Sequence, residues 1–272
     1  MLNQETSIYA LIGNPVEHSL SHLTHNRAFA KMGLNAVYVK IALEEDELSA
    51  FFSLIRLFNL RGLSVTMPLK AALMPYLDET EEELYTAFNT VVCQEERFRG
   101  FNTDGRGATD ILKKRLCLKG RKILILGAGA TAAAMAIEAI KEEADVVLIN
   151  RTSEKSKHLA HRIGCSAEEM SKARKLFVKG YDVLINATSV GMTPNDDQIP
   201  IDPSWLKEGT VVLDAVYAPR VTKLLKAAEE KGCHTIGGAE LFAAQAVRQF
   251  ELWFKNMENC DENFFAMCED DS

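Results

Sequence analysis

The chain of 272 residues lacks the features that mark several large classes of protein. It has no excess of basic charge: the formal net charge is -7, which leaves no electrostatic footprint for a nucleic-acid backbone. No apolar run approaches the roughly 20 residues that a membrane-spanning helix needs. The opening residues, Met1 to Ser7, lack the basic flank and apolar stretch of a secretory signal, so a cytoplasmic location is expected. Six cysteines, at 93, 117, 165, 233, 260 and 268, form no C-x-x-C pair and no metal-ligand spacing, and they read as reduced, mostly buried small residues. Internal repeats and low-complexity linkers are missing too. What remains is an ordinary globular composition, 47% hydrophobic and 25% charged, in a chain long enough to predict two domains. The expected partner is a small molecule rather than nucleic acid or membrane, and the sequence admits a monomer or homodimer.

The most informative stretch is Lys122-Ile-Leu-Ile-Leu-Gly-Ala-Gly-Ala130. A buried-strand run ends in Gly127-Ala-Gly129, and the Ala-rich segment after it reads as a helix whose free N–H groups and dipole can hold a pyrophosphate. Ala132 takes the third glycine position of G-x-G-x-x-G, an accepted variant because that site controls helix-to-strand packing. Without its flanks the triplet would be an ordinary tight turn. The next strand, Val146-Val-Leu-Ile-Asn-Arg-Thr152, ends in Asn150 and Arg151, where an NAD-binding chain usually places a carboxylate. A carboxylate would repel a 2′-phosphate, whereas a guanidinium grips one through two charge-assisted hydrogen bonds, so the cofactor expected is NADP. If a helix starts near Thr152 or Ser153, Lys155 shares a face with Arg151.

Hydrophobic periodicity predicts strands and helices in alternation, an α/β fold. Strands are expected at Ile8 to Ile12, Ala36 to Ile41 and Gly62 to Val65, with helices at Leu23 to Met32 and Glu44 to Phe58 and another opening at Pro68. Thr90 to Cys93 and Arg97 to Arg99 suggest a hairpin around Gln94-Glu-Glu96. A helix from Arg106 to Leu116 leads into the cradle strand, further strands lie near 145–149, 182–186 and 210–214, and a final helix runs from Ala239 to Asn256. The domains predicted are 1–104, substrate-binding and catalytic; 105–237, a doubly wound, Rossmann-type nucleotide domain; and 238–272, a C-terminal helix and tail returning to the first. The active site would then be the cleft between the domains. The tail from Asn259 to Ser272 is acidic apart from Phe264 and Phe265, and its end is expected to be mobile.

Hydride transfer also needs a group that moves a proton at the substrate oxygen. The best candidates are Lys70, just past the sharp turn expected at Pro68, and Asp104, in the turn-rich segment Gly100-Phe-Asn-Thr-Asp-Gly105. Alone, each reads as a solvated charge or a simple Asp-Gly turn. They belong, however, to an ordered series: Gly13-Asn-Pro-Val-Glu-His-Ser-Leu-Ser21, Thr66 to Lys70, Asn89-Thr90, Asn102-Thr-Asp104, Asn186-Ala-Thr-Ser-Val-Gly191, Asp214-Ala-Val-Tyr-Ala-Pro219, then Gly238 and Gln245. In order and spacing this series resembles the shikimate dehydrogenases, from about residue 8 to 254. The resemblance implies that Ser19 and Ser21 bind the substrate carboxylate. It implies that Thr66, Asn89, Tyr217 and Gln245 hold hydroxyls and carboxylate, and that Lys70 and Asp104 are catalytic beside the reacting oxygen. It further implies cofactor contacts at Gly127, Gly129, Ala130, Asn150, Arg151, Thr152 and Lys155, with Thr188 and Gly238 nearer the nicotinamide end. The implied activity is reversible NADPH-dependent reduction of 3-dehydroshikimate to shikimate, a step of aromatic amino-acid biosynthesis; the alternative is a quinate/shikimate dehydrogenase of broader use.

The chain departs from that family's usual pattern at His22, where Pro is common, at Ala130, where a further Gly is typical, and at Leu241, where Met is common. Ser64, Asn89 to Val92 and Glu240-Leu-Phe242 are closer to the dehydrogenase half of bifunctional dehydroquinate dehydratase–shikimate dehydrogenase proteins. Two readings from other classes compete. His18, His22 and His25 fall within eight residues and could suggest a metal, but no acidic or cysteine ligand lies at a recognised spacing. A module that senses NADP without turnover would not need both Lys70 and Asp104.

Overall fold

The computed structural model describes residues 3–254. The chain divides into two compact units, Met1–Thr103 with Ala246–Ser272, and Asp104–Gln245. The first is built on a six-stranded mixed sheet in the order β2-β1-β3-β5-β6-β4. Strand β1 (Ser7–Gly13) leads through α1 (Ser21–Lys31) to β2 (Ala36–Ala42), then α2 (Leu48–Leu54), β3 (Leu60–Val65) and the single turn α3 (Leu69–Ala72). A short strand β4 (Glu79–Thr80) precedes the hairpin of β5 (Thr90–Gln94) and β6 (Arg97–Phe101). Strand β1 runs parallel to β2 and β3, whereas β5 is antiparallel to both β3 and β6. Apolar residues of the strands, among them Ile12, Leu63 and Val91, are buried with Phe29 of α1.

The expected helix over Glu44 to Phe58 is broken into a 3-10 turn at Glu45–Glu47, the α-helix α2, and a second 3-10 turn at Ile55–Leu57. A capping box between Glu44 and Glu47 tightens its start. Of the apolar residues that suggested one long helix, Leu48, Phe52 and Ile55 are buried, but Leu54, Leu57 and Phe58 face solvent. The hairpin turn places Glu95 and Glu96 at φ 52° and 62°, a conformation in which glycine or asparagine is usual.

The second unit is a parallel sheet of six strands in the order β12-β11-β10-β7-β8-β9. Its elements are α4 (Thr103–Lys113), β7 (Lys122–Leu126), α5 (Ala130–Lys141), β8 (Asp145–Asn150), α6 (Ser153–Ile163), β9 (Ser166–Glu169), α7 (Arg174–Lys179), β10 (Val183–Asn186), β11 (Val211–Asp214), α8 (Lys223–Glu230), β12 (His234–Ile236) and α9 (Gly238–Trp253). The central strands are uninterrupted Val, Ile and Leu runs because both faces are covered. Ala132, Ala134 and Ala136 are buried on α5, small enough for the helix to lie close to the sheet. Strand order reverses at β7, flanked by β8 and β10, which opens a crevice at the carboxyl ends of β7 and β10. This is the doubly wound nucleotide-binding topology predicted from the sequence.

Helix α9 begins at Gly238, one residue before the expectation; Lys255 and Asn256, its expected end, lie outside the described residues, as does the acidic tail. Its last two turns belong to the first unit, as expected of a returning helix. There Phe250 packs on Phe29, 5.4 Å between ring centres, and Trp253 donates to the Val91 carbonyl at 3.0 Å. Gly62 has no side chain because a Cβ there would enter the Trp253 indole. Among the cysteines, Cys93 and Cys233 are buried, but Cys117 is exposed; Cys260 and Cys268 lie outside the described residues. Among the described residues no helix is long and apolar enough to cross a membrane.

Candidate active site

In the second unit the end of β7 has the form of a phosphate cradle. Gly127 adopts φ +117°, and a Cβ there would lie 2.9 Å from the Ala187 carbonyl oxygen and 3.3 Å from Thr188. Only glycine lets the loop after β7 pass so close to the loop after β10. Gly129 differs: its backbone is extended, and a Cβ would meet nothing within 4 Å. The space its side chain leaves faces outward. Gly129 caps α5 with no side-chain hydrogen bond, and the first turn of the helix contains no acidic residue. Backbone N–H groups at an end of this kind suit a pyrophosphate.

Asp104 lies in the first turn of α4 rather than in a turn-rich loop, since β6 gives way to helix at Thr103. Its carboxylate accepts a 3.4 Å hydrogen bond from Thr131, in the first turn of α5, so the second unit sets this acid beside the glycine loop. Gly105 makes the approach possible, because a Cβ there would strike the Ala134 carbonyl. Gly107 does the same against the backbone of Gln245.

A buried polar knot fixes the loops after β10 and β11. The Asn186 amide donates to Asp214 at 2.9 Å and accepts from the hydroxyl and backbone N–H of Thr188 at 2.6 and 3.1 Å. Asp214 also accepts from Thr222 at 2.6 Å and from the Val216 N–H at 3.0 Å. Burial raises the Asp214 pKa, and these hydrogen bonds oppose the rise. The knot fixes Thr188 and the backbone that leads to Tyr217. Tyr217 packs 5.8 Å from Phe242, whose carbonyl accepts from the Gln245 amide at 3.1 Å, and Gly238 leaves room for the Val216 carbonyl.

At the end of β8, Asn150 donates to the Thr152 carbonyl at 3.0 Å, shaping the turn that presents Arg151 and leads into α6 at Ser153. Arg151, Thr152 and Lys155 are exposed. A depression of about 430 Å³ lies between the glycine loop and α6, lined by Ala128, Glu154, Lys155, His158, Leu159 and Arg162. A bare glycine loop, an uncapped helix start and cations at the end of the second strand together fit a dinucleotide that carries a third phosphate.

The first unit collects its candidates at the carboxyl ends of β1 and β3. Thr66 follows β3 and its N–H donates to Ile12; the Val65 N–H donates to the Asn89 carbonyl at 2.8 Å, and the Phe88 N–H donates to the Lys70 carbonyl at 2.8 Å. Thr66, Lys70 and Asn89 are thereby tied together through their backbones. The Asn89 side chain is itself fixed, its oxygen accepting from the Thr103 N–H at 2.8 Å and its nitrogen donating to the Thr103 hydroxyl at 2.9 Å. After β1 the chain turns through Asn14, whose amide bonds Glu44, to Ser19 and Ser21, with hydroxyls 2.9 Å apart. Lys40 braces that loop by donating to the Glu17 and Ser19 carbonyls.

Ser19, Ser21, Thr66, Lys70 and Asn89 thus belong to one unit, and Asp104, Tyr217, Gln245 and every cofactor candidate belong to the other. The three histidines do not converge: His22 faces the Ser19 carbonyl, while His25 is buried between Thr24 and Gln249. Among the described residues no group of His, Cys, Asp or Glu could hold a metal ion. Sequence reading missed Thr131 as the partner of Asp104, and it missed Tyr38, Ser64 and Gln249 beneath the substrate candidates. The one available signal was Gln249 itself, one helical turn after Gln245 among apolar residues.

Known proteins carry the same two-part organisation. Residues 11–91 match the family model described as the shikimate dehydrogenase substrate binding domain, and residues 108–193 match that of shikimate / quinate 5-dehydrogenase. The shikimate dehydrogenase (NADP(+)) of Pyrococcus furiosus is 41% identical over 255 residues, covering 93% of this chain and 92% of that protein. A crystal structure of a shikimate dehydrogenase in complex with NADP+ superposes with a TM-score of 0.92 at 34% identity, over 100% of this chain and 97% of the other. The Thermus thermophilus enzyme, solved with NADP(H) and shikimate, has a TM-score of 0.87 at 31% identity, covering 96% of this chain and 98% of that one. With relatedness of this extent added to the glycine cradle and the ordered polar residues of both units, the chain belongs to the shikimate dehydrogenase family.

Proposed function

We propose that this chain catalyses the reversible NADPH-dependent reduction of 3-dehydroshikimate to shikimate in aromatic amino-acid biosynthesis. The observation that supports it best is the end of β8, where Asn150 and Arg151 replace a carboxylate beside a cradle that Gly127 and Gly129 keep open. Gly127, Gly129 and Ala130 would hold the pyrophosphate, and Asn150, Arg151, Thr152 and Lys155 the adenosine 2′-phosphate, with Thr188 and Gly238 toward the nicotinamide end. Bound NADPH supplies hydride to the substrate carbonyl carbon.

The chain's own side chains bind and orient the acid and manage one proton. Ser19 and Ser21 receive the carboxylate, while Thr66, Asn89, Tyr217 and Gln245 bond hydroxyls and carboxylate. These short hydroxyl and amide groups suit a small polyhydroxy acid. Lys70, as the ammonium, donates a proton to the carbonyl oxygen as it gains charge, and Asp104 orients that transfer. The two are read as one coupled proton relay. On this reading 1–104 is the substrate domain, 105–237 the nucleotide domain and 238–272 the returning segment; the working unit is a monomer or homodimer in the cytoplasm. Lys70→Ala tests the relay: turnover should fall at least tenfold, about 1.4 kcal/mol of transition-state stabilisation, and turnover within tenfold of wild type would overturn the assignment.

A further inference from the structure

We propose that Gln249 is a positioning residue: its amide is the hub of a buried hydrogen-bond string, running from Tyr38 through Ser64 to Thr90, that orients Asn89. The proposal rests on reading Asn89 as a substrate-binding group. Gln249 is on the last turns of α9, in a core that includes Phe29, Tyr38 and Phe250 and where an apolar side chain would be the ordinary occupant. An amide is instead satisfied at all four of its positions. Its oxygen accepts from Ser64 at 2.8 Å and from His25 at 3.1 Å, and its nitrogen donates to the Thr90 hydroxyl at 2.8 Å and to the Asn89 carbonyl at 3.5 Å. One amide offers two acceptor sites and two N–H groups, so its rotation is fully specified.

From this hub the string has a direction. The Gln249 oxygen can only accept, so Ser64 gives it a proton and must accept from the Tyr38 hydroxyl, 2.6 Å away. At the other end Thr90 accepts from Gln249 and donates to the Asn89 side-chain oxygen at 3.0 Å, which fixes the plane of that amide. The same acceptor requires the proton of His25 on Nε2. Burial pushes the His25 pKa down to about 4, so the imidazole is neutral and carries a single ring proton. A buried network of this kind is costly unless complete, and completeness gives it a single geometry.

The test uses the full-length enzyme and steady-state constants for shikimate and NADP separately. Gln249→Met fills the same space without bridging; it should raise the shikimate KM at least tenfold, leave the NADP KM within twofold and change kcat little. In a cycle with Asn89→Ala, the double variant should be impaired at least threefold less than the product of the single effects. A folded Gln249→Met with a lower melting temperature and an unchanged shikimate KM would mean that the amide only stabilises, and would overturn the proposal. If that variant does not fold, Tyr38→Phe, which keeps the ring and breaks the step to Ser64, carries the same criterion. If Asn89→Ala leaves the shikimate KM unchanged, the reading of the site fails first and the positioning role falls with it.

Discussion

The two glycines of the cradle should separate binding from stability. At Gly127, alanine would adopt φ +117° with its Cβ 2.9 Å from the Ala187 oxygen. The backbone conformation costs about 1–2 kcal/mol and the crowding about 1–3, together roughly 3 kcal/mol. For a chain of this size that is a fall of about 6–12 °C in melting temperature. At Gly129, alanine keeps an extended backbone and touches nothing. The loss of a good N-cap residue, about 0.5–1 kcal/mol, is offset by the reduced freedom of the unfolded chain, about 0.4–1 kcal/mol. The net change is within about 1 kcal/mol, and the melting temperature should barely move. Its methyl group, however, would occupy the space proposed for the pyrophosphate, so the NADPH KM should rise at least tenfold, about 1.4 kcal/mol. Thermal melts followed by circular dichroism, with NADPH titration by nucleotide fluorescence, measure both quantities. A Gly129→Ala enzyme that binds NADPH like wild type would refute the cradle assignment, and an undiminished melting temperature for Gly127→Ala would refute the crowding argument.

Two further outcomes follow from other parts of the fold. His25 has a folded-state pKa of about 4 against an ordinary 6.5, so the unfolded chain takes up this proton first: its contribution to stability is whole above about pH 6.5 and is lost as pH falls toward 4. Between about pH 7 and pH 5 the loss from this residue is about 2 kcal/mol, and denaturant unfolding of His25→Gln should show a shallower decline over that range; parallel declines would contradict it. Replacing Glu95-Glu96, both at positive φ, with Asn-Gly should stabilise the hairpin by about 1 kcal/mol and raise the melting temperature about 2–4 °C, and no rise would argue against the turn geometry.

Legibility in the sequence followed burial. The central strands of the second sheet are continuous apolar runs, and the strand-to-helix turn at Gly127 and the cation at Arg151 have local signatures, so that unit could be read in outline. Three strands were not expected, β4, β9 and β12, and each is a sheet edge. Glu79-Thr80, Ser166-Ala-Glu-Glu169 and His234-Thr-Ile236 need no apolar pattern because only one side is paired and little of them is buried. The stretch 44–58 misled in the opposite direction, since Leu54, Leu57 and Phe58 match helical spacing yet face solvent. Individual site residues such as Ser19, Ser21 and Lys70 were recognisable only as an ordered series, since a lone Ser or Lys carries no signal. The string through His25, Tyr38, Ser64, Thr90 and Gln249 comes from five separate segments and has no local signature beyond the polar Gln249 on an otherwise buried helix face.

The central claim is the pairing of one substrate with one cofactor, and it is tested most directly by following nicotinamide absorbance with shikimate or quinate against NADP or NAD, four combinations on one preparation. Shikimate with NADP should give the highest kcat/KM, with quinate weaker on either cofactor and NAD weaker on either substrate. Preference for NAD would contradict the role given to Arg151 and Lys155, and the absence of shikimate oxidation with either cofactor would contradict the proposed activity.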